Sequence, residues 1–321
     1  MKVFFDPAEI PAGFGPSVVA IGKFDGVHSG HRAVIDRARV AATDAAARVV
    51  AVTFDRNPLS LLRPDVCPEN LVSVDQKIAL LADAGVDATL VLRFDEALAS
   101  LSPTEFVEHV LVEALAAVSV LVGDDFRFGR GGAGTPAVLA DLGEKLGFSV
   151  DVVSDVRGGG RRVSSTWVRE LLTAGDVEGA ARLLGRPHAL RAEVVHGLKR
   201  GRELGYPTAN LAVDAEGFVP ADGVYAGWLV DEGTDAGSLA AATRYPAAIS
   251  IGTNPTFDDV PVRQVEAYVL DETTLDLYGH TVQVQLTHRI RGMVRFEGIE
   301  ALITTMGGDV AAVRAALLPG S

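Results

Sequence analysis

Short unbroken apolar runs alternate with amphipathic stretches through the first half of the chain. SVVAIG (17–22), RVVAVTF (48–54), ATLVL (88–92), VSVLV (118–122) and SVDVV (149–153) read as strands. Between them, apolar residues recur at helical spacing over 29–43, 74–84 and 103–115. Continuous Val/Ile/Leu strands separated by amphipathic helices predict a parallel sheet covered on both faces. Such sheets take ligands at the carboxyl ends of their strands.

From about residue 186 the pattern changes. Strand-like segments at 190–196, 223–230, 247–251, 264–270 and 281–287 follow one another with Gly and Pro turn signals between them. This pattern predicts a small antiparallel barrel. Two helical segments near 298–306 and 310–318 close the chain, with Gly307-Gly308 between them. The expected organisation is therefore an α/β domain over 1–185 and a barrel domain with C-terminal helices over 186–321.

Composition narrows the class. The 321 residues are 48 % hydrophobic and 22 % charged, as in folded globular domains. With 29 Lys+Arg against 42 Asp+Glu the net charge is −13, and each half is acidic, at −7 and −6. Such a chain is repelled by nucleic acid and by anionic membranes, so neither is an expected partner. Cys67 is the only cysteine, which excludes an internal disulfide and a cysteine metal cluster, and fits a reducing cytoplasm. The first residues, MKVFFDPAEI, lack the apolar core of a signal peptide, and no run of about 18 apolar residues occurs. The expected state is a monomer or weak homo-oligomer.

Three segments carry candidate chemistry in the first half. The first strand runs into Gly22-Lys23-Phe24-Asp25-Gly26-Val27-His28-Ser29-Gly30-His31. His28 and His31 are three apart and share one face of a starting helix. The glycines Gly22 and Gly30 allow close approach of a ligand, and a helix N-terminus favours phosphate. In Arg162-Val163-Ser164-Ser165-Thr166-Trp167-Val168-Arg169, three hydroxyls open an apolar-periodic run, and Arg169 projects over the same turn as Ser165 and Thr166. Hydroxyls, amides and an arginine together suit a pyrophosphate, although Ser164 or Ser165 would also serve as a plain helix cap. Gly123-Asp124-Asp125-Phe126-Arg127-Phe128-Gly129 follows a strand and is the weaker third element.

In the second half, Gly197–Gly205 is a glycine-rich basic segment containing Gly201 and Arg202, without the G-K-[ST] of a Walker P-loop; it could cover phosphates, but on its own it reads better as a hairpin turn. Next comes Gly205-Tyr206-Pro207-Thr208-Ala209-Asn210. On extended chain Thr208 and Asn210 point the same way, and their hard oxygens suit Mg2+ beside a nucleotide phosphate. Glu266 alternates with Val265 and Ala267, so it shares a face with Tyr268; taken alone, it reads better as a solvent-facing strand residue, and it becomes a candidate only through the resemblance below.

IGKFDGVHSGHR, VGDDFRFG, VSSTWVRELL, LLGRP, GRELGYPTANL, ADGVYAGW, ISIGTNPTF and DLYGH occur in this order. Together they resemble the prokaryotic bifunctional riboflavin kinase/FAD synthetases over nearly the whole chain. The resemblance implies a Rossmann-like nucleotidyltransferase domain, then a six-stranded riboflavin-kinase barrel. It implies phosphorylation of riboflavin to FMN by ATP and Mg2+, then adenylylation of FMN by a second ATP to FAD and pyrophosphate. FMN arrives as an anionic nucleophile, so the resemblance gives His28 and His31 the task of stabilising triphosphate charge. It assigns Gly22, Phe24, Asp25, Gly30, Asp125, Ser164, Ser165, Thr166 and Arg169 to the nucleotide. In the kinase half it implies Glu266 as base for the neutral ribityl hydroxyl. Gly201, Arg202, Gly205 and Pro207 would line the phosphates, and Thr208 and Asn210 would contact magnesium and ATP.

One departure stands out. Many members read T-F-x-P-H-P after the second strand, whereas this chain has Thr53-Phe54-Asp55-Arg56-Asn57-Pro58. Asn57 hydrogen-bonds but carries no charge, and Arg56 beside it is a substitute cation. The alternative reading is a chain retaining only one of the two activities.

Overall fold

The computed structural model describes residues 1–197, 205–234, 242–253, 263–272 and 274–318. Contacts divide the chain into two compact units, Met1–Ser165 and Thr166–Ser321.

In the first unit the strands are β1 (Lys2–Phe4), β2 (Ser17–Ile21), β3 (Arg48–Phe54), β4 (Ala88–Leu92), β5 (Ala117–Gly123) and β6 (Ser149–Val153). They form one parallel sheet in the order β1-β4-β3-β2-β5-β6. Helix α1 (Ser29–Asp44) links β2 to β3, and α2 (Leu59–Leu62) and α3 (Val74–Asp83) link β3 to β4. Strand alternation gives the sheet two apolar faces. Val19, Ile21, Val50, Val52, Leu90 and Val120 pack with Phe106, Leu111 and Leu139 on one side. Val18, Ala20, Val49 and Ala51 pack with Ile35, Ala38 and Leu81 on the other. Sandwiching between helices explains why these strands read as unbroken apolar runs.

Several elements add to the sequence reading. β1 is a three-residue strand too short to show a period. Helix α4 is Glu96–Ser100, and α5 (Pro103–Phe106) runs on as a π-helical turn over Val107–Ala114. Helix α6 (Pro136–Leu146) starts on Thr135, with Pro136 at its first position, and stops at Gly147 in the left-handed region. A short hairpin pairs β7 (Arg157–Gly158) with β8 (Arg161–Arg162).

The second unit opens with the remainder of α7 (Ser165–Ala174) and with α8 (Val177–Leu184). Its barrel closes in the order β10-β13-β12-β11-β14-β9. The strands are β9 (His188–Val195), β10 (Thr208–Leu211), β11 (Gly223–Gly233), β12 (Thr243–Gly252), β13 (Gln264–Val269) and β14 (Thr281–Arg291). The sixth strand, β10, carries the Thr208–Asn210 motif that periodicity alone leaves as extended chain. Leu190, Ile249, Ile251, Ala267, Val282, Val284 and Leu286 are fully buried.

The two expected C-terminal helices are one. Helix α9 runs Ile299–Leu317 straight through Gly307 and Gly308. Two interior glycines cost about 1 kcal/mol each relative to alanine. Packing of Val310, Val313, Ala316 and Leu317 against Ala226, Ala248 and Tyr268 offsets that cost. The bidentate pair Arg291–Asp309, at 2.8 and 2.7 Å, fixes the helix middle to β14.

Candidate active sites

The sheet order reverses between β2 and β5, and at that switch point the carboxyl ends of the two strands open a crevice. β2 leads into the Gly22–His31 segment and β5 into Asp124-Asp125. Phe24 and Val27 hold φ of +49° and +40°, values costly for non-glycine residues and above all for β-branched valine. Both side chains are buried, so packing holds the turn against this strain.

That turn aims the histidines. His28 caps α1, its Nδ1 accepting the His31 backbone N–H at 3.4 Å. The two imidazoles stack with centroids 3.7 Å apart and planes 16° from parallel, while Phe24 meets His31 edge-on at 5.3 Å. A side chain at Gly30 would crowd the His28 ring at 3.1 Å, so glycine here permits the stack. Burial, His28, Lys77 and Arg162 together hold the His31 pKa well below the usual histidine value, so His31 is neutral at physiological pH. Its Nδ1 is shut from solvent and has no hydrogen-bond partner among the described residues.

Asp25 is tied into the scaffold. Its Oδ1 accepts the Leu71 N–H at 2.8 Å, and its carbonyl accepts the Ser165 hydroxyl at 2.8 Å. The structure thus joins Ser165, the first residue of α7, to the histidine loop; Thr166 and Arg169 follow on the same helix. Ser164 directly precedes it, and Gly22 donates its N–H to Val52 O at 3.1 Å, holding the end of β2 to β3. Asp125 meets Arg162 through two bonds of 2.9 Å, and Arg162 also reaches Asp155 at 2.9 Å. The arginine holds the Asp125 carboxyl below the ordinary carboxylate range. Asn57 uses its Oδ1 locally, accepting the Leu59 N–H at 3.1 Å, and Arg56 pairs with Asp55 at 3.3 Å.

Sequence reasoning missed Lys77. An amphipathic helix offers many lysines to water, and nothing in the pattern marked this one as only 8 % exposed. Its Nζ donates to Phe54 O at 2.7 Å.

In the barrel, Thr208 and Asn210 lie opposite Tyr268 and Glu266, and Ser250 lies opposite Glu266 on its other side. Directly paired residues share a face. Val265, Ala267 and Val269 fill the barrel interior, so Glu266 stands with Asn210 and Ser250 on its outer face. Burial raises the Glu266 pKa above the usual value. Asn210 Nδ2 donates to Thr208 O at 3.2 Å, and Tyr206 meets Tyr268 edge-on at 5.3 Å. Pro207 enters β10 from Gly205, whose φ of +86° marks a turn. Gly201 and Arg202 lie outside the described residues.

The two sites match two domain families. Residues 11–167 match the model described as FAD synthetase, and residues 184–317 the one described as riboflavin kinase. The chain therefore carries an FAD synthetase domain followed by a riboflavin kinase domain. A bifunctional riboflavin kinase/FMN adenylyltransferase of Pseudomonas fluorescens is 38 % identical over 95 % of this chain and 94 % of its own. Proteins of the same description from Escherichia coli K12 and Bacillus subtilis 168 are 36 % and 34 % identical, each over 91 % of this chain and 90 % of their own. The chain belongs to the bifunctional riboflavin kinase/FMN adenylyltransferase family. A crystal structure titled macrolide-efflux protein from Streptococcus pneumoniae superposes with a TM-score of 0.82 at 30 % identity, covering 97 % of this chain and 98 % of that one. Among the described residues here, no helix is long and apolar enough to cross a membrane.

Proposed function

We propose that the chain makes FAD from riboflavin in two steps at two separate sites, with the functional boundary at 185/186. In the barrel, the ribityl hydroxyl of riboflavin attacks the γ-phosphorus of ATP, its proton passes to Glu266, and ADP leaves. The raised Glu266 pKa supports this role, because a stronger base takes the proton more readily. Thr208 and Asn210 offer neutral hard oxygens beside that carboxylate, a donor set that fits a magnesium ion held mainly by phosphate and water. When bound, the ion neutralises phosphate charge. Gly201, Arg202, Gly205 and Pro207 border the phosphates.

In the first domain, a phosphate oxygen of FMN attacks the α-phosphorus of a second ATP, and pyrophosphate leaves. His28 and His31 face the charge that develops there, within a shell of Gly22, Phe24, Gly30, Asp25 and Asp125. Ser164, Ser165, Thr166 and Arg169 hold the leaving pyrophosphate. The enzyme works on single nucleotides in the cytoplasm as a monomer or weak homo-oligomer.

The observation that carries this reading is the pairing, in one chain, of a stacked histidine pair at a sheet switch point with a half-buried glutamate beside Asn210 and on the face of Thr208. Purified protein given riboflavin, ATP and Mg2+ yields FMN and then FAD, with the flavins separated by chromatography. His28→Ala stops the sequence at FMN. Glu266→Gln stops it at riboflavin, while FMN supplied directly still becomes FAD. Glu266 must be ionised to act, so riboflavin phosphorylation in the parent enzyme is lost as the pH drops, along a limb lying above the ordinary glutamate pKa of about 4.3. Normal FMN formation by Glu266→Gln would overturn the assignment of the base.

A further inference from the structure

Lys77 is a buried cation that neither reaction step above uses. It sits on α3, with its Nζ at the carboxyl end of β3, donating to Phe54 O at 2.7 Å and reaching Thr53 Oγ1 at 3.4 Å. Thr53 is itself fully buried, and its hydroxyl donates to Lys23 O at 3.0 Å, in the loop that delivers the histidines. One ammonium therefore links the α3 helix, the end of β3 and, through Thr53, the loop after β2.

Burying a lysine is unfavourable unless the charge has partners or a task. One carbonyl and one hydroxyl contact alone would be met as well by a neutral donor. The charge has electrostatic neighbours on three sides. Asp25 of the histidine loop and Asp55 after β3 favour the ammonium, while burial pulls its pKa down to about 8. His31 of α1 feels it as a repelling cation, alongside its own neighbour His28 on α1 and Arg162 of β8.

We propose that Lys77 is a positioning residue for adenylyl transfer, fixing the end of β3 through Phe54 O and the histidine loop through Thr53. Its charge adds to burial and to His28 in disfavouring protonation of the His31 imidazole. A neutral His31 is ready to receive an anionic triphosphate, and the arriving negative charge then favours its protonation where charge develops. The inference rests on the reading that His31 serves the adenylyl-transfer site.

Lys77→Gln tests it, because glutamine keeps a donor for the Phe54 carbonyl and loses the charge. Full-length parent and variant proteins with 15N-labelled histidine are titrated by NMR, and FAD formation from FMN is measured alongside FMN formation from riboflavin. The expected result is an upward shift of the His31 pKa and a fall of about tenfold or more in kcat for FAD formation. FMN formation stays at the parent rate, which confines the effect to the first domain, whose fold is reported by an unchanged thermal melt of the variant; Lys77→Arg restores the His31 titration toward that of the parent. Unchanged His31 titration and unchanged kcat in Lys77→Gln overturn the proposal. Should the glutamine variant fold poorly, Lys77→Met and Lys77→Arg form the same contrast of charge absent against charge kept. His31→Ala separates the premise from the inference: undiminished FAD formation there removes the role of His31 itself, whatever Lys77 does.

Discussion

Asn57 sits where the resemblance read from the sequence leads one to expect a histidine, and its side chain is already engaged in the turn that opens α2. Arg56, the neighbouring cation, is paired with Asp55. Neither side chain is therefore disposed, in this arrangement, as the histidine's stand-in. Asn57→His adds a group able to bond or charge-pair with phosphate, and the expected outcome is retained FAD formation with a KM for ATP changed by about three- to tenfold, the net worth of one hydrogen bond. Steady-state kinetics at saturating FMN checks this, and an identical KM would remove Asn57 from the ATP site. The pair His28/His31 was readable from spacing alone, since a separation of three on a starting helix brings two rings together. Asp25 stood in the sequence motif, but its ties to Leu71 and Ser165 were not readable there. Lys77 was not readable, because its burial depends on where α3 packs and not on the amphipathic period of α3. Glu266 shows the same limit: alternation gave its face, while the neighbours on that face, Asn210 and Ser250, come from strand pairing that no local pattern encodes.

At the scale of elements, the strands of the first unit were visible because both sheet faces are covered, which makes each strand an unbroken apolar run. β1 and β10 were hidden by their length of three and four residues. The Gly307-Gly308 pair reads as a helix break, yet α9 passes through it because its packing face continues on either side. This makes Gly308 a place where stability is forgone. Its φ is not in the left-handed region, and a Cβ there meets nothing within 4 Å. Gly308→Ala is expected to stabilise the second unit by about 0.5–1 kcal/mol, through higher helix propensity and a less disordered unfolded chain. Urea denaturation reads this as a higher midpoint at unchanged slope. A lower midpoint would mean that the glycine serves a close approach absent from this structure. Gly307 has less room, since a Cβ there lies 3.5 Å from the Tyr206 hydroxyl.

For the whole molecule, the net charge of −13 reads at first as hostility to phosphate. The described cations are placed to narrow that statement. Arg162, though paired with Asp125 and Asp155, and Lys77 both act electrostatically on His31, so positive groups gather around the histidine pair even in an acidic chain. The place where one module gives way to the next is the larger question at this scale. The change in sequence pattern puts it at 185/186, whereas contacts group residues from Thr166 onward with the barrel. The reason lies in α7 and α8. Ala221 N donates to Leu172 O at 2.9 Å, and Arg289 of β14 donates to Ala174 O at 3.0 Å. Leu172, Val177, Leu183 and Leu184 are buried, and Asp176 caps α8 through the Gly179 N–H at 2.7 Å. Each large apolar side chain contributes about 1.5–3 kcal/mol when buried, so these four carry roughly 6–12 kcal/mol as an upper figure. That is comparable to the whole stability of a small domain, about 5–15 kcal/mol. A fragment of residues 166–321 is therefore expected to fold and to phosphorylate riboflavin, whereas a fragment of 186–321 is expected to aggregate or to melt far below it. Circular dichroism melts and FMN formation by the two fragments decide between the boundaries. Equal melting temperatures would show that α7 and α8 are accessory to the barrel, and the sequence boundary would then also be the folding boundary.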